Sequence, residues 1–299
     1  SDQITLNENN ITTIQNQLKD FFYVTVDSGN IGSKMNAYYY GKHLNMDCVN
    51  KYYIGGIDNL HIDDNIQNFV IKPVNLSSSR GLLIIKDRVD NIGDNVFNNN
   101  DEIIQFYKNK YIDFPSDTIY IIEEFINDDI RPLQVNFYTF NGKTELVKVT
   151  EWVDYNKQFN YIYNDKWELI YVIEPKLNPN GTVPKPIGFE KALNDANNFS
   201  KSIGTFIRID YLFDSKHNIL KMNETSILPF CANHQIKWNI VNKNGEEEEK
   251  VKLLFTEDMQ LNLGEAFKNC FPFNSNNFQE LYDESLSYNI PEPCRNNYK

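Results

Sequence analysis

Short apolar runs divided by polar, Asn- and Gly-rich turns dominate the chain, and helical spacing is confined to three stretches. Residues 11–24 set Ile11, Ile14, Leu18, Phe21 and Phe22 at helical intervals, which predicts a short amphipathic helix. Residues 25–65 are mixed and Gly-punctuated, with weak signals. From Phe69 the pattern changes. FVIK (69–72) and GLLIIK (81–86) are apolar runs around the turn-like NLSSSR, which predicts a β-hairpin. DEIIQFYKNK (101–110) reads as a helix with Asp101 as its N-cap. IYIIEEFI (119–126) reads as a buried strand running into two glutamates. LQVNFYTF (133–140) and KTELVKV (143–149) flank Asn141-Gly142, a hairpin turn signature. ELIYVI (168–173) predicts a further strand. A Pro-rich loop follows, then the helix FEKALNDANNFSKSIG (189–204), closed by Gly204. FIRIDYLFD (206–214) and ILKMNET (219–225) predict two strands joined by SKHN. GEEEEK (245–250) reads as a solvated loop, and the tail 270–299 as partly loose. Hairpins outweigh βαβ repeats, so the expected class is α+β. No GxGxxG or GxxxxGK[ST] is present, which excludes a Rossmann fingerprint and a P-loop.

Composition narrows the partners. The 299 residues are 41% hydrophobic, with 18 Tyr and 20 Phe, enough apolar surface for a folded core despite the many asparagines. The net charge of -12 opposes a polyanionic partner and argues against nucleic acid. Cys48, Cys231, Cys270 and Cys294 form no Cys-x-x-Cys pair and read as free thiols of a reducing compartment. No apolar run approaches a membrane span, and the polar N-terminus is unlike a signal peptide, so the expectation is a cytoplasmic protein.

Three constellations carry candidate chemistry. Lys72 closes an apolar strand and is followed by a loop rich in hydroxyls and backbone donors. It is either an edge-strand lysine reaching solvent or a ligand of an anion that the loop covers. Glu123-Glu124 ends a strand, either simply exposed or offering a carboxylate and backbone groups to a nucleoside. Asp210 and Glu224 lie on consecutive strands, where a tight hairpin sets two carboxylates face to face. Such a pair repels itself unless a cation bridges it, and oxygen-only ligation suits Mg²⁺. Arg208 shares the Asp210 face by alternation, and a salt bridge to the acids is the other reading. Strand alternation sets Asn223, a neutral third ligand if turned inward, on the face opposite Glu224.

In this order, FVIKPVNLSSSRGLLIIK (69–86), YIIEEFI (120–126) and the 189–230 stretch through Arg208-x-Asp210 and KMNETSILPF resemble the ATP-grasp superfamily. The nearest likeness is to its TupA-like branch, associated with polysaccharide and teichuronopeptide synthesis. The resemblance covers roughly residues 55–230. It implies two α+β subdomains clamping ATP, preceded by a short N-terminal region. The implied division is 1–65 for that region, 66–126 for the lid subdomain, 127–255 for the large subdomain with the metal site, and 256–299 for a helical or loop tail. Lys72, Lys86 and the Ser77, Ser78, Ser79, Arg80, Gly81 loop match the phosphate-binding positions. Glu123, Glu124, Phe125 and Ile126 match the strand that meets adenine and ribose. Asp210 and Glu224, with Asn223 beside them, match Mg²⁺ ligands. Arg208 matches a basic residue near the γ-phosphate. Many ATP-grasp ligases end this motif in Glu-x-Asn; Ser226 stands where that asparagine would be.

The implied reaction is ATP- and Mg²⁺-dependent joining of a carboxylate to an amine through an acylphosphate, with Lys72 and Arg208 as the catalytic cations. The acceptor is a small molecule, glycan or peptide. A kinase acting on an alcohol and a catalytically inactive nucleotide-binding module are the alternatives. The aromatic stretch 152–171 reads as core or hairpin packing, with carbohydrate binding as its alternative. His43, His61, His217 and His234 form no cluster, His234 being the one nearest the predicted metal strand.

Overall fold

All strand pairs among the described residues are antiparallel, as the hairpin-rich pattern requires. The computed structural model describes residues 34–74, 80–91, 95–116, 118–126, 131–140, 142–154, 157–170, 181–203, 206–226, 237–241 and 247–253. Its helices are α1 (Lys34–His43), α2 (Asn100–Lys110) and α3 (Phe189–Ile203). The class is α+β. The described chain divides into two units, one within 48–126 and one from 34–47 and 127–253. Among the described residues, no helix is long and apolar enough to cross a membrane.

The smaller unit holds β1 (Lys51–Gly56), β2 (Phe69–Pro73), β3 (Leu83–Lys86), β4 (Val89–Asp90) and β5 (Ile119–Glu124). They form one sheet in the order β1-β5-β2-β3-β4. Period-two alternation turns Phe69, Ile71, Leu83 and Ile85 inward, where they meet Ile103 and Tyr107 from one face of α2. The N-cap of α2 is Asn99, not the expected Asp101. Its side chain accepts the Glu102 N–H from extended backbone, while Asp101 and Glu102 occupy the first turn and favour the positive helix end. Gly81 has φ +72, and a Cβ there would lie 2.8 Å from the Phe114 ring, so only glycine fits. Its carbonyl accepts the Tyr107 hydroxyl at 2.6 Å.

The larger unit is built on β6 (Gln134–Phe140), β7 (Lys143–Trp152), β8 (Gln158–Tyr163), β9 (Phe206–Asp214) and β10 (Ile219–Ser226). The order is β10-β9-β6-β7-β8. One sheet face is apolar and packs on α3. Phe137 stacks on Phe189 at 5.6 Å and meets Tyr211 edge-on at 5.2 Å. Tyr40 of α1 meets Phe199 of α3 edge-on at 4.7 Å and donates to the Ser202 hydroxyl. The hairpin turn ends at Gly142, φ +91, whose N–H donates to Ser200 Oγ at 2.8 Å.

Two sequence expectations are corrected here. The 168–173 strand reduces, in its described part, to a single bridge between Leu169 and Tyr163; the strand of that region is β8. The acidic run at 245–250 is not simply a solvated loop. Glu247–Leu253 is a strand, β12, paired with β11 (Lys237–Val241), because ladder hydrogen bonds need only backbone groups. The predicted helix at 11–24, Gly204 and the tail lie outside the described residues. Cys48 is buried, and the other three cysteines lie outside the described residues.

Candidate functional site

Two clusters of charge are built into the two sheets. In the smaller unit, β5 runs between β1 and β2, so Glu123 has neighbours on both sides. Lys51 stands directly opposite it, and Val70 opposite on the other side, which puts Lys72 on the diagonal within reach of a long side chain. Lys72 Nζ lies 2.6 Å from Glu123 Oε1, and Lys51 donates to Oε2. The side chains of Lys51, Glu123 and Lys72 are 1%, 5% and 10% exposed. Burial opposes ionisation of Glu123, but the two ammoniums overcome it and hold the carboxyl below its ordinary range. Burial also lowers Lys51, against the pull of Glu123.

Glu123 therefore spends both oxygens on lysines. Glu124 Oε1 accepts the Asn50 N–H at 2.9 Å. Phe125 is half-buried and Ile126 buried just beyond. Lys86 is half-buried on β3, Arg80 is exposed, and Gly81 is the tight position described above; Ser77, Ser78 and Ser79 lie outside the described residues. Lys51 was not among the sequence candidates, since KYYIGG shows no alternation that would mark a strand.

In the larger unit, the sheet face opposite α3 carries a row of polar and charged residues between buried apolar ones such as Leu146 and Ile162. One cross-strand row reads Glu224, Asp210, Asn136, Lys148, on β10, β9, β6 and β7. The sequence foresaw its first two members and missed Asn136 and Lys148. Arg208 forms a fork on Asp210, Nε to Oδ1 and a terminal nitrogen to Oδ2, both at 2.7 Å. Each of the two is 8% exposed. Burial pushes the Asp210 carboxyl above its ordinary value; the Arg208 fork opposes that push and Glu224 adds to it. Burial opposes the Arg208 charge, yet Asp210 holds the guanidinium above its ordinary value.

The register of β10 slips by one residue between Met222 and Glu224. Met222 and Thr225 are buried, while Asn223 and Glu224 are both half-buried. This bulge corrects the alternation expectation: Asn223 shares the open side with Glu224 rather than opposing it. Asn136 Oδ1 is buried and has no hydrogen-bond partner among the described residues.

The remaining candidates stand apart from these clusters. Trp167 stacks on Tyr163 at 4.3 Å and meets Phe189 edge-on, and Arg131 lies 4.1 Å over Trp152, so these members of the aromatic stretch are engaged in packing. Tyr155 lies outside the described residues. His217 Nδ1 is 2.7 Å from Asp214 in the β9–β10 turn, His61 is exposed beside Asp63, and His234 is outside the described set.

Among the described residues, no three His, Cys, Asp or Glu side chains converge as a metal cage. A divalent cation at Asp210 and Glu224 thus fits only with amide and ligand oxygens completing its shell, a donor set suited to Mg²⁺.

No family model matches the sequence, and no curated protein matches it. Solved structures do. D-alanine–D-alanine ligase from Bacillus anthracis, complexed with ATP, is 16% identical at a TM-score of 0.44, covering 68% of this chain and 57% of that one. D-cycloserine synthetase DcsG is 9% identical at 0.44, covering 85% and 79%. The ATP-grasp ligase PsnB, complexed with a phosphomimetic variant of its minimal precursor, Mg and ADP, is 10% identical at 0.41, covering 71% and 58%. The chain spans 57% and 62% of the length of the two B. anthracis ligase structures it matches. TM-scores of 0.41 and 0.44 denote a loose likeness.

Proposed function

We propose that the chain is an ATP- and Mg²⁺-dependent carboxylate–amine ligase of the ATP-grasp type, nearest the TupA-like branch and acting on a small-molecule, glycan or peptide acceptor. The observation that carries this reading is the in-register pair Glu224 and Asp210, held beside the Arg208 fork on the sheet face opposite α3. Two carboxylates opposed at a strand spacing repel one another, and a cation between them removes that repulsion.

In this reading Lys72 binds phosphate oxygens of ATP, and Lys51 offsets the charge of Glu123. Asp210 and Glu224 hold the cation, which when bound draws electron density from the phosphate oxygens. Arg208 lies on the face where charge builds on the transferred group and stabilises it there, since phosphoryl transfer depends mainly on positioning and electrostatics. A substrate carboxylate oxygen bonds to the γ-phosphorus as the β–γ bridging bond breaks and ADP leaves. The acceptor amine then bonds to the acyl carbon, phosphate departs, and the amine proton passes to phosphate or solvent.

The test is thermal denaturation with and without Mg-ATP, for the wild type and Asp210→Asn. At about 100 times Kd, a ligand specific for the native state adds about 2.7 kcal/mol. A magnesium-dependent rise in Tm that Asp210→Asn abolishes is the expected result. A wild type that does not respond to Mg-ATP sinks the reading.

A further inference from the structure

We infer that Asn136 is a third oxygen ligand of the divalent cation held by Asp210 and Glu224. The inference rests on the proposed cation site and extends it to a strand outside the β9–β10 hairpin. Asn136 sits directly across β6–β9 from Asp210, and Asp210 directly across β9–β10 from Glu224. Side chains in register share a face, so the amide and the two carboxylates project from the same side of the sheet at neighbouring strand spacings.

The amide oxygen is the unusual atom in this row. Among the described residues it is withdrawn from solvent and lacks a hydrogen bond, although each oxygen of Asp210 beside it accepts one from Arg208. Buried polar atoms are nearly always satisfied, and one left over in a polar row calls for a partner. The neighbour on one side is Asp210, which when ionised only accepts and cannot supply it; on the other side is Lys148, directly across β6–β7, which makes no hydrogen bond to this oxygen. A hard divalent cation over Asp210 would. It would complete two carboxylates with a neutral oxygen, which matters where no third acid, histidine or cysteine converges among the described residues.

The experiment measures Mn²⁺ affinity by electron paramagnetic resonance without nucleotide, Mg-ATP affinity by calorimetry, and Tm in EDTA. Asn136→Leu removes the orphaned oxygen and keeps the volume. It is expected to match or exceed the wild type in Tm in EDTA while Mn²⁺ affinity falls about tenfold, the lower end of what loss of a single support to a metal site costs. Asn136→Asp is expected to tighten Mn²⁺ at high salt, where through-space attraction is screened but direct ligation persists. An Asn136→Leu protein that binds Mn²⁺ like the wild type, while Asp210→Asn does not, overturns the inference and leaves the ligase reading standing. If Asn136→Leu fails to fold, Asn136→Asp decides alone, and unchanged Mn²⁺ affinity at high salt overturns the inference. A wild type that binds neither Mn²⁺ nor Mg-ATP removes the inference together with the reading beneath it.

Discussion

The two sheets solve the same problem, charge inside a fold, with opposite signs. On the smaller sheet two ammoniums share one carboxylate, so Lys51, Glu123 and Lys72 together carry one positive charge more than negative. On the larger sheet one guanidinium serves Asp210 with Glu224 in register beside it, so that trio carries one negative charge more than positive, with Lys148 two strands along the same row. In the proposed reading the first surplus would serve phosphate oxygens and the second a divalent cation. The comparison also separates holding from receiving. Glu123 has both oxygens engaged at one fixed place, whereas the larger sheet leaves a buried amide oxygen unsatisfied.

The largest expected effect comes from removing the shared carboxylate. Glu123→Ala leaves two buried ammoniums without their counter-ion and is expected to cost about 3–5 kcal/mol in a urea titration. A loss below about 1 kcal/mol would mean that solvent already screens the lysines, and the contrast with the larger sheet would lapse. The pH dependence has a definite sign. Because Glu123 is held below its ordinary value in the folded chain, its contribution is complete above the unfolded carboxylate range, near pH 4.3, and is lost as pH falls through the folded value. The stability gap between the wild type and Glu123→Gln should thus be widest near neutrality and close in acid. A gap that stays constant with pH would show that shape rather than charge matters there.

A smaller effect sharpens the division of labour. Lys72→Met removes a charge-assisted contact worth about 1.5–3 kcal/mol, so Mg-ATP affinity should fall at least tenfold in calorimetry while Mn²⁺ binding without nucleotide stays unchanged. A parallel loss of both would merge the two clusters into one functional unit. Smallest is a control that touches neither: Asn99→Ala removes the cap of α2 and should cost about 1 kcal/mol without altering Mg-ATP affinity.

Legibility from sequence followed the strength of alternation. β2, β5, the β6–β7 hairpin and the β9–β10 hairpin were readable because apolar runs end in recognisable turns, Asn141-Gly142 and SKHN among them. The short turn placed Asp210 and Glu224 on neighbouring strands, but their direct opposition depends on the register slip at Asn223, which the turn does not encode. β1 was hidden because KYYIGG lies in a Gly-punctuated stretch, and Lys51 was hidden with it. β8 was hidden because QFNYIY reads as an aromatic cluster, and β12 because its glutamates suggest solvent. Asn136 and Lys148 carry no local signal at all. They join the row only when β6 settles between β7 and β9, a long-range pairing that short-range patterns do not encode.

The slip at Asn223 makes Glu224 a key to the alignment of the β9–β10 hairpin. Without it, Asn223 would face Asp210 and Glu224 would face Ile209, on the side packed by α3. A carboxylate enclosed there with no cation partner is disfavoured by several kcal/mol. A misaligned hairpin is therefore rejected by the same residue that the correct one presents, so the acid proofreads the zipping of two strands before it has any ligand to hold.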